Sequence, residues 1–381
     1  MSRSLPSTSL IQALIVGAAV QLAACKPAGV IEDLGTLGGA SYGIGINGVG
    51  NVVGASYLSS VNPHASGMHA FRYVDGLGMI DVGTLPPGNI SAGQSINSGF
   101  FIVGGSFVAG FVPHAFRANA TLNLTDLGTL GGEFSNAWDI NDHGVITGEA
   151  SNAAEDVHAF VLASAGMQDI GTLGGMTSIG RSINESGQVA GESRIGTGQA
   201  TRAFRFTNGV GMINLGTLSG GTTSSGYGIN NNGQVVGESD TSPILSPNDT
   251  GVILKRTFQF KGFSFFGTHA FLWTEGVGMR DLGELGGGTS RANAISTNGT
   301  VVGTSRVIGG ASHAFRWTQV GGMIDLNTLL PSNSGWVLIE ANDINDRGQI
   351  TGFGLHNGLE RAYRLNPPEL VNTSAQPTNA K

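Results

Sequence analysis

The sequence predicts an all-β chain, a seven-bladed β-propeller of four-stranded antiparallel blades closed by an N-terminal strand. Three observations carry this. The phrase His-Ala-Phe recurs at His69, His114, His158, His269 and His313, with Arg202-Ala203-Phe204 and Arg361-Ala362-Tyr363 as degenerate copies. The spacings are 45, 44, 44, 67, 44 and 48 residues, the length of a unit that must stack on its neighbours to bury a core. Gly numbers 63 and charged residues are only 12%, which suits short strands joined by tight turns and starves long helices of their formers. Finally, the phrases are out of phase at the two ends. The ring opens on an orphan fourth strand, Ile31 to Gly35, and closes on a third strand, Arg361 to Leu365, that lacks a fourth. The first completes the last blade, whereas a linear array would need polar caps.

Taken in order, residues 1–24 read as a signal peptide. Arg3 supplies a positive start, and Leu10 to Val20 is an apolar stretch too short for a comfortable membrane span. Leu22-Ala23-Ala24-Cys25 follows, holding the single cysteine, so no internal disulfide can form. The segment resembles a bacterial lipoprotein signal peptide, whose lipobox ends in an invariant cysteine. The resemblance implies cleavage before Cys25, fatty acylation (palmitate among the acyl groups) of that residue, and anchoring through residues 25–29. Lys26, where an Asp signals inner-membrane retention, implies the outer membrane or cell surface. The competing reading is an ordinary secretory signal with a chance cysteine.

The ring is expected over 30–366. In the third copy, Ser135 to Asn141 reads as a strand, Asp142-His143-Gly144 as a turn, and Val145 to Ala150 as a second strand. His158 to Leu162 and Gly166 to Ile170 are the third and fourth. Such a meander repeated around an axis is a propeller. Small residues in the first strands, as in Ser41 to Gly45, suit the crowded axis. Phe71-Arg72-Tyr73 and Phe315-Arg316-Trp317 fill the space where blades splay apart. These phrases resemble the extracellular HAF-repeat family of bacteria over Ile31 to Leu365. That resemblance implies a fold and an address, and no activity.

The repeated His invites a metal reading. Arg202 and Arg361 occupy the same slot, however, and Arg is a donor rather than a ligand. His69, His114, His158, Arg202, His269, His313 and Arg361 are therefore expected to pin the start of the third strand. Asp33, Asp81, Asp126, Asp169, Asp281 and Asp325 are expected to accept a strand-end or turn hydrogen bond, since Asn214 takes that place once. Asp139 to Gly144 and Asp343 to Gly348 faintly resemble calcium loops, but their other copies read as hairpin turns. No other cofactor is expected. Gly43 to Gly48 matches G-x-G-x-x-G and Gly39 to Gly43 matches G-x-S-x-G, both without the helix that either chemistry needs.

One departure from the repeat stands out. An insertion at 240–268, between the second and third strands of blade five, carries Lys255, Arg256 and Lys261 among Phe258, Phe260, Phe263, Phe265 and Phe266. It is a candidate binding element, or else a self-packed hairpin. Residues 367–381 are expected to be a disordered tail. The net charge of −7 with no basic run argues against nucleic acid. The expected function is a non-enzymatic binding or scaffold role at the cell envelope, lipid-anchored, with an envelope protein or glycan as partner. The alternatives are an envelope assembly factor and a glycan-acting enzyme.

Overall fold

The computed structural model describes residues 30–61, 67–198, 200–241 and 267–366. They form seven four-stranded antiparallel sheets. Each first strand touches the first strands of both neighbours around a closed circuit, so the sheets are the blades of a seven-bladed β-propeller with their first strands at the axis. Blades one to six span 41–83, 91–126, 131–169, 174–214, 224–281 and 286–325. Blade seven takes three strands from 336–366 and its outer strand from Val30–Asp33. The helical content of the described residues is two 3₁₀ turns, Ala109–Phe111 and Leu326–Leu329.

Val30–Asp33 pairs antiparallel with Leu359–Asn366, from Val30 opposite Asn366 to Asp33 opposite Tyr363. The strand starts one residue earlier than the sequence indicates and ends at Asp33. There the side chain accepts from the Gly35 N–H at 2.8 Å and turns the chain.

Inside each blade, the aromatic residue of the repeated phrase is fully buried, from Phe71 round to Tyr363. It lies across a second-strand glycine. At Gly148 an added Cβ would stand 2.0 Å from the Asn136 carbonyl and 2.7 Å from the Phe160 ring. The Val-Val-Gly cadence of these strands follows, because only hydrogen fits beneath the ring.

Two hydrogen bonds repeat between blades. The phrase's Ala N–H donates to a first-strand Ser Oγ of the next blade, as in Ala159 to Ser178 at 2.9 Å and Ala362 to Ser41 at 3.0 Å. At the other end of the first strands, the Asn of each Ile-Asn phrase donates to the next blade's backbone carbonyl. Asn47 reaches Asn97, Asn97 reaches Asn141, Asn141 reaches Asn184, and Asn345 reaches back to Asn47.

The meander gives the ring two faces. The links between second and third strands, and from each fourth strand to the next blade, lie on a corner face. The turns between first and second and between third and fourth strands lie on the opposite, hairpin face. Asp240 and Thr268, which flank the insertion, stand on the corner face, where Asp240 accepts from the Thr222 and Thr223 N–H groups at 2.7 Å each.

Candidate functional site

Every first strand carries a β-bulge at the same place. The register skips one residue between Gly43 and Gly45, Gly93 and Ser95, Ala137 and Asp139, and Gly180 and Ser182. It does so again between Gly226 and Gly228, Ala292 and Ala294, and Ala341 and Asp343. The skipped residues are Ile44, Gln94, Trp138, Arg181, Tyr227, Asn293 and Asn342, and all seven line one axial funnel of about 330 Å³. A bulge re-aims a side chain that a regular strand would turn toward a neighbouring sheet.

Around this position the copies agree: Gly or Ala, the bulge residue, then Gly, Ser, Ala or Asp, then Ile and Asn or Ser. The bulge position itself holds six residue types in seven copies. The varied side chains are thus set in one repeated frame and turned toward one axis.

The polar half of the funnel is a ladder of planar groups. The Arg181 guanidinium lies 4.4 Å from the Trp138 ring and 5.9 Å from the Tyr227 ring, and Arg291, which does not line the funnel, lies 5.7 Å from the Tyr227 ring. Each rung has a carboxylate partner. Trp138 Nε1 donates to Glu149 at 3.1 Å, Arg181 to Glu192 at 2.8 Å, Tyr227 Oη to Glu238 at 2.9 Å, and Arg291 to Glu340. Burial works against the Arg181 charge, but Glu192, Glu149 and Tyr227 outweigh it and hold its pKa above the ordinary arginine value. Burial pushes the Glu149 carboxyl up, against the pull of Arg181 and the Trp138 N–H. Burial, then Glu238 and Glu192, lifts the Tyr227 phenol well above its usual range. At neutral pH Arg181 is a cation and Tyr227 a neutral donor.

Two groups in the funnel keep unused capacity. Arg181 is 7% exposed, and its buried Nε has no hydrogen-bond partner among the described residues. Gln94 is 8% exposed, and its amide makes no hydrogen bond among them either. The carboxylates nearby are spoken for. Asp139 accepts from Ser95 Oγ, its neighbour Ile140 N–H, Ser182 Oγ and Ile183 N–H at 2.7–2.9 Å, clamping blades two, three and four. At the mouth, Asp142 accepts from the Ser98 N–H and Oγ, and Asp346 from the Thr297 N–H and Oγ.

This accounts for the loops with a calcium-like pattern. Asn141 Oδ1 accepts from the Val145 N–H at 2.9 Å and Gly144 sits at φ 77°, the geometry of a tight turn. Among the described residues, no three His, Cys, Asp or Glu side chains gather to hold a metal ion. Gly43 to Gly48 lies in a first strand and its hairpin, with Ser41 Oγ donating to the Gly35 carbonyl.

The repeated His and the repeated Asp, separate features in the sequence, are partners. Nδ1 of His69, His114, His158, His269 and His313 meets Asp81, Asp126, Asp169, Asp281 and Asp325 at 2.6–2.9 Å. An ionised carboxylate only accepts, so Nδ1 carries the proton. The pairs sit on the corner face, half exposed, joining third to fourth strand. The two Arg copies differ. Arg202 donates to the Thr222 carbonyl, while Asn214 keeps the turn cap to Gly216 at 2.9 Å. In blade seven His356, from the second strand, takes Asp33 at 2.7 Å, and Arg361 stands 4.0 Å away.

The funnel opens on the hairpin face, opposite the corner face on which the insertion makes the sequence place binding. Cys25, the tail 367–381 and the insertion residues Lys255, Arg256, Phe258, Phe260, Lys261, Phe263, Phe265 and Phe266 lie outside the described residues. The bulge residues were missed by sequence reasoning. The column varies in the sequence, but so do others, such as that of Tyr42, Ala92, Asn136, Ile179, Ser225, Arg291 and Glu340, so variation alone does not single it out.

No protein-family model and no curated protein matches the chain. Among solved structures, the S511A mutant of puromycin hydrolase in complex with PGG is 13% identical, with a TM-score of 0.54 over 89% of this chain and 55% of that one. The puromycin-hydrolyzing peptidase of Mycobacterium tuberculosis is 10% identical, with a TM-score of 0.50 over 89% and 55%. Putative TolB from Agrobacterium tumefaciens is 10% identical, at 0.43 over 86% and 91%. The chain thus spans about half the length of each of the first two. At these identities the likeness is one of fold.

Proposed function

We propose that the protein is a non-catalytic binding protein of the bacterial cell envelope, an HAF-repeat propeller held by acylated Cys25, that takes a glycan in its axial funnel. The carrying observation is the bulge position, which in every blade turns a side chain of varied type into one axial funnel. Its amides (Gln94, Asn342) and aromatic rings (Trp138, Tyr227) are groups that bind hydroxyls and sugar faces. The site carboxylates are committed to structural hydrogen bonds, which supports binding over acid–base chemistry.

The test is calorimetry of the full chain in detergent against a panel of envelope glycan fragments. Binding that is lost in Gln94→Ala, at an unchanged melting temperature, is the expected result. No heat from any fragment would sink the glycan reading, and cleavage of a fragment would replace it with the enzymatic one. Release of Cys25→Ser protein from membranes tests the anchor separately.

A further inference from the structure

Large aliphatic side chains normally avoid turn tips, yet the turns between third and fourth strands expose them at one place. Leu77 is 49% exposed, Val210 75%, Val277 81% and Val320 99%, in blades one, four, five and six. Blade seven has no such turn. Val30, 37% exposed, opens its outer strand at the same level of the hairpin face, opposite Asn366. Blades four, five, six, seven and one are consecutive around the ring. The aliphatic tips therefore form one arc, which blades two and three interrupt with Thr121 and with Ser164-Ala165.

Two further observations select the occupant. The acids of these turns are paired with arginines of a neighbouring blade, Asp75 with Arg364 and Glu275 with Arg205, which lowers the cost of bringing the arc to an apolar medium. The chain also enters the fold within the arc. Val30 follows Cys25 by five residues, at most roughly 18 Å of extended backbone.

We infer that the arc is a bilayer-contact rim, which seats the hairpin face on the membrane that receives the acyl chains of Cys25. This rests on the proposed anchor. The rim tilts the ring, because blades two and three lack aliphatic tips. The funnel mouth stays open on that side, and the corner face, where Asp240 and Thr268 stand, faces away from the membrane. The corner face also exposes apolar residues: Val61, Ile308 and Leu359 lie in or beside the second-to-third-strand links of blades one, six and seven, and Met176 and Val337 lie in first strands; they provide the control.

The test uses the full acylated chain in vesicles of phosphatidylethanolamine and phosphatidylglycerol. Acylation leaves no free thiol, so Val210→Cys, Val277→Cys and Ile308→Cys each accept one fluorophore. Nitroxide-bearing lipids should quench the labels at 210 and 277 and leave the label at 308 bright. Equal quenching at all three positions, or none at any, would overturn the rim while leaving the anchor standing. Failure of the protein to float with vesicles would remove anchor and rim together. Rim labels shielded in native membranes but not in protein-free vesicles would assign the arc to a protein partner and overturn the lipid reading.

Discussion

Six of the seven blade-to-blade interfaces share one pair of hydrogen bonds, and the interface between blades six and seven does not. The ordinary interface uses two hydrogen bonds, an Ala N–H to a Ser Oγ and an Asn amide to a carbonyl. Between blades six and seven both are missing. Ser296 stands where the donor Asn belongs and bonds within its own hairpin. In their place, Arg291 pairs with Glu340, Asn293 donates to Glu340 and the Ala341 carbonyl, and Asn327 exchanges two bonds with Leu338. The interface where the chain ends meet, between blades seven and one, keeps the ordinary pattern. Ring closure keeps that pattern and adds other contacts, among them buried Arg364 pairing with Asp75 and donating to the Gly50 carbonyl, and Tyr73 donating to Glu32. What sets the interface of blades six and seven apart is that an ion pair, 2% and 7% exposed, stands in place of the neutral pair rather than beside it.

The contrast is sharpest if the ion pair is broken. Glu340→Ala leaves Arg291 and Asn293 without their shared acceptor, and should cost about 3–5 kcal/mol in urea unfolding. A cost no larger than at an ordinary interface would mean the ion pair contributes nothing special. Ser178→Ala, at the ordinary interface of blades three and four, leaves the Ala159 N–H unpaired and should cost about 1–3 kcal/mol by the same measurement.

The half-exposed His–Asp pairs should matter less. His158→Ala should cost about 1 kcal/mol. His158→Arg should fall within about 0.5 kcal/mol of the parent, since blades four and seven hold Arg at that place. A large loss in the Arg variant would show that the imidazole geometry itself is required.

The smallest effect is one of pH. Burial raises the Asp81 pKa, but the hydrogen bond from His69, the Gly83 N–H and the His69 charge outweigh it, so the carboxyl is held below its ordinary value. A depressed carboxylate pKa adds stability above the unfolded-state pKa and loses it as pH falls through the folded one. Asp81→Asn should therefore be less stable than the parent at neutral pH, and the gap should close in acid. A gap that widens in acid would reverse the assignment.

Much of the fold was legible in the chain because its signals are local. A His-Ala-Phe phrase every 44 residues or so, small first strands, and turn glycines mark strands and blades within a few residues of each other. The orphan strand at one end and the missing strand at the other pointed to the pairing of Val30–Asp33 with Leu359–Asn366. The His–Asp pairs were half legible. Both members recur, 11 or 12 residues apart, but periodicity marks positions and not partners.

The site was not legible, for a physical reason. A bulge is a miscount between two strands, so which residue is skipped depends on the partner's register as well as its own sequence. The rungs of the ladder meet across blades, dozens of residues apart, and no local propensity encodes that meeting. The chain's own repetition determines how many blades there are and what closes each one. The side chains that face the axis, and the end of the ring on which they open, were decided by packing seven similar sheets around a centre that one small-residue strand from each can just share.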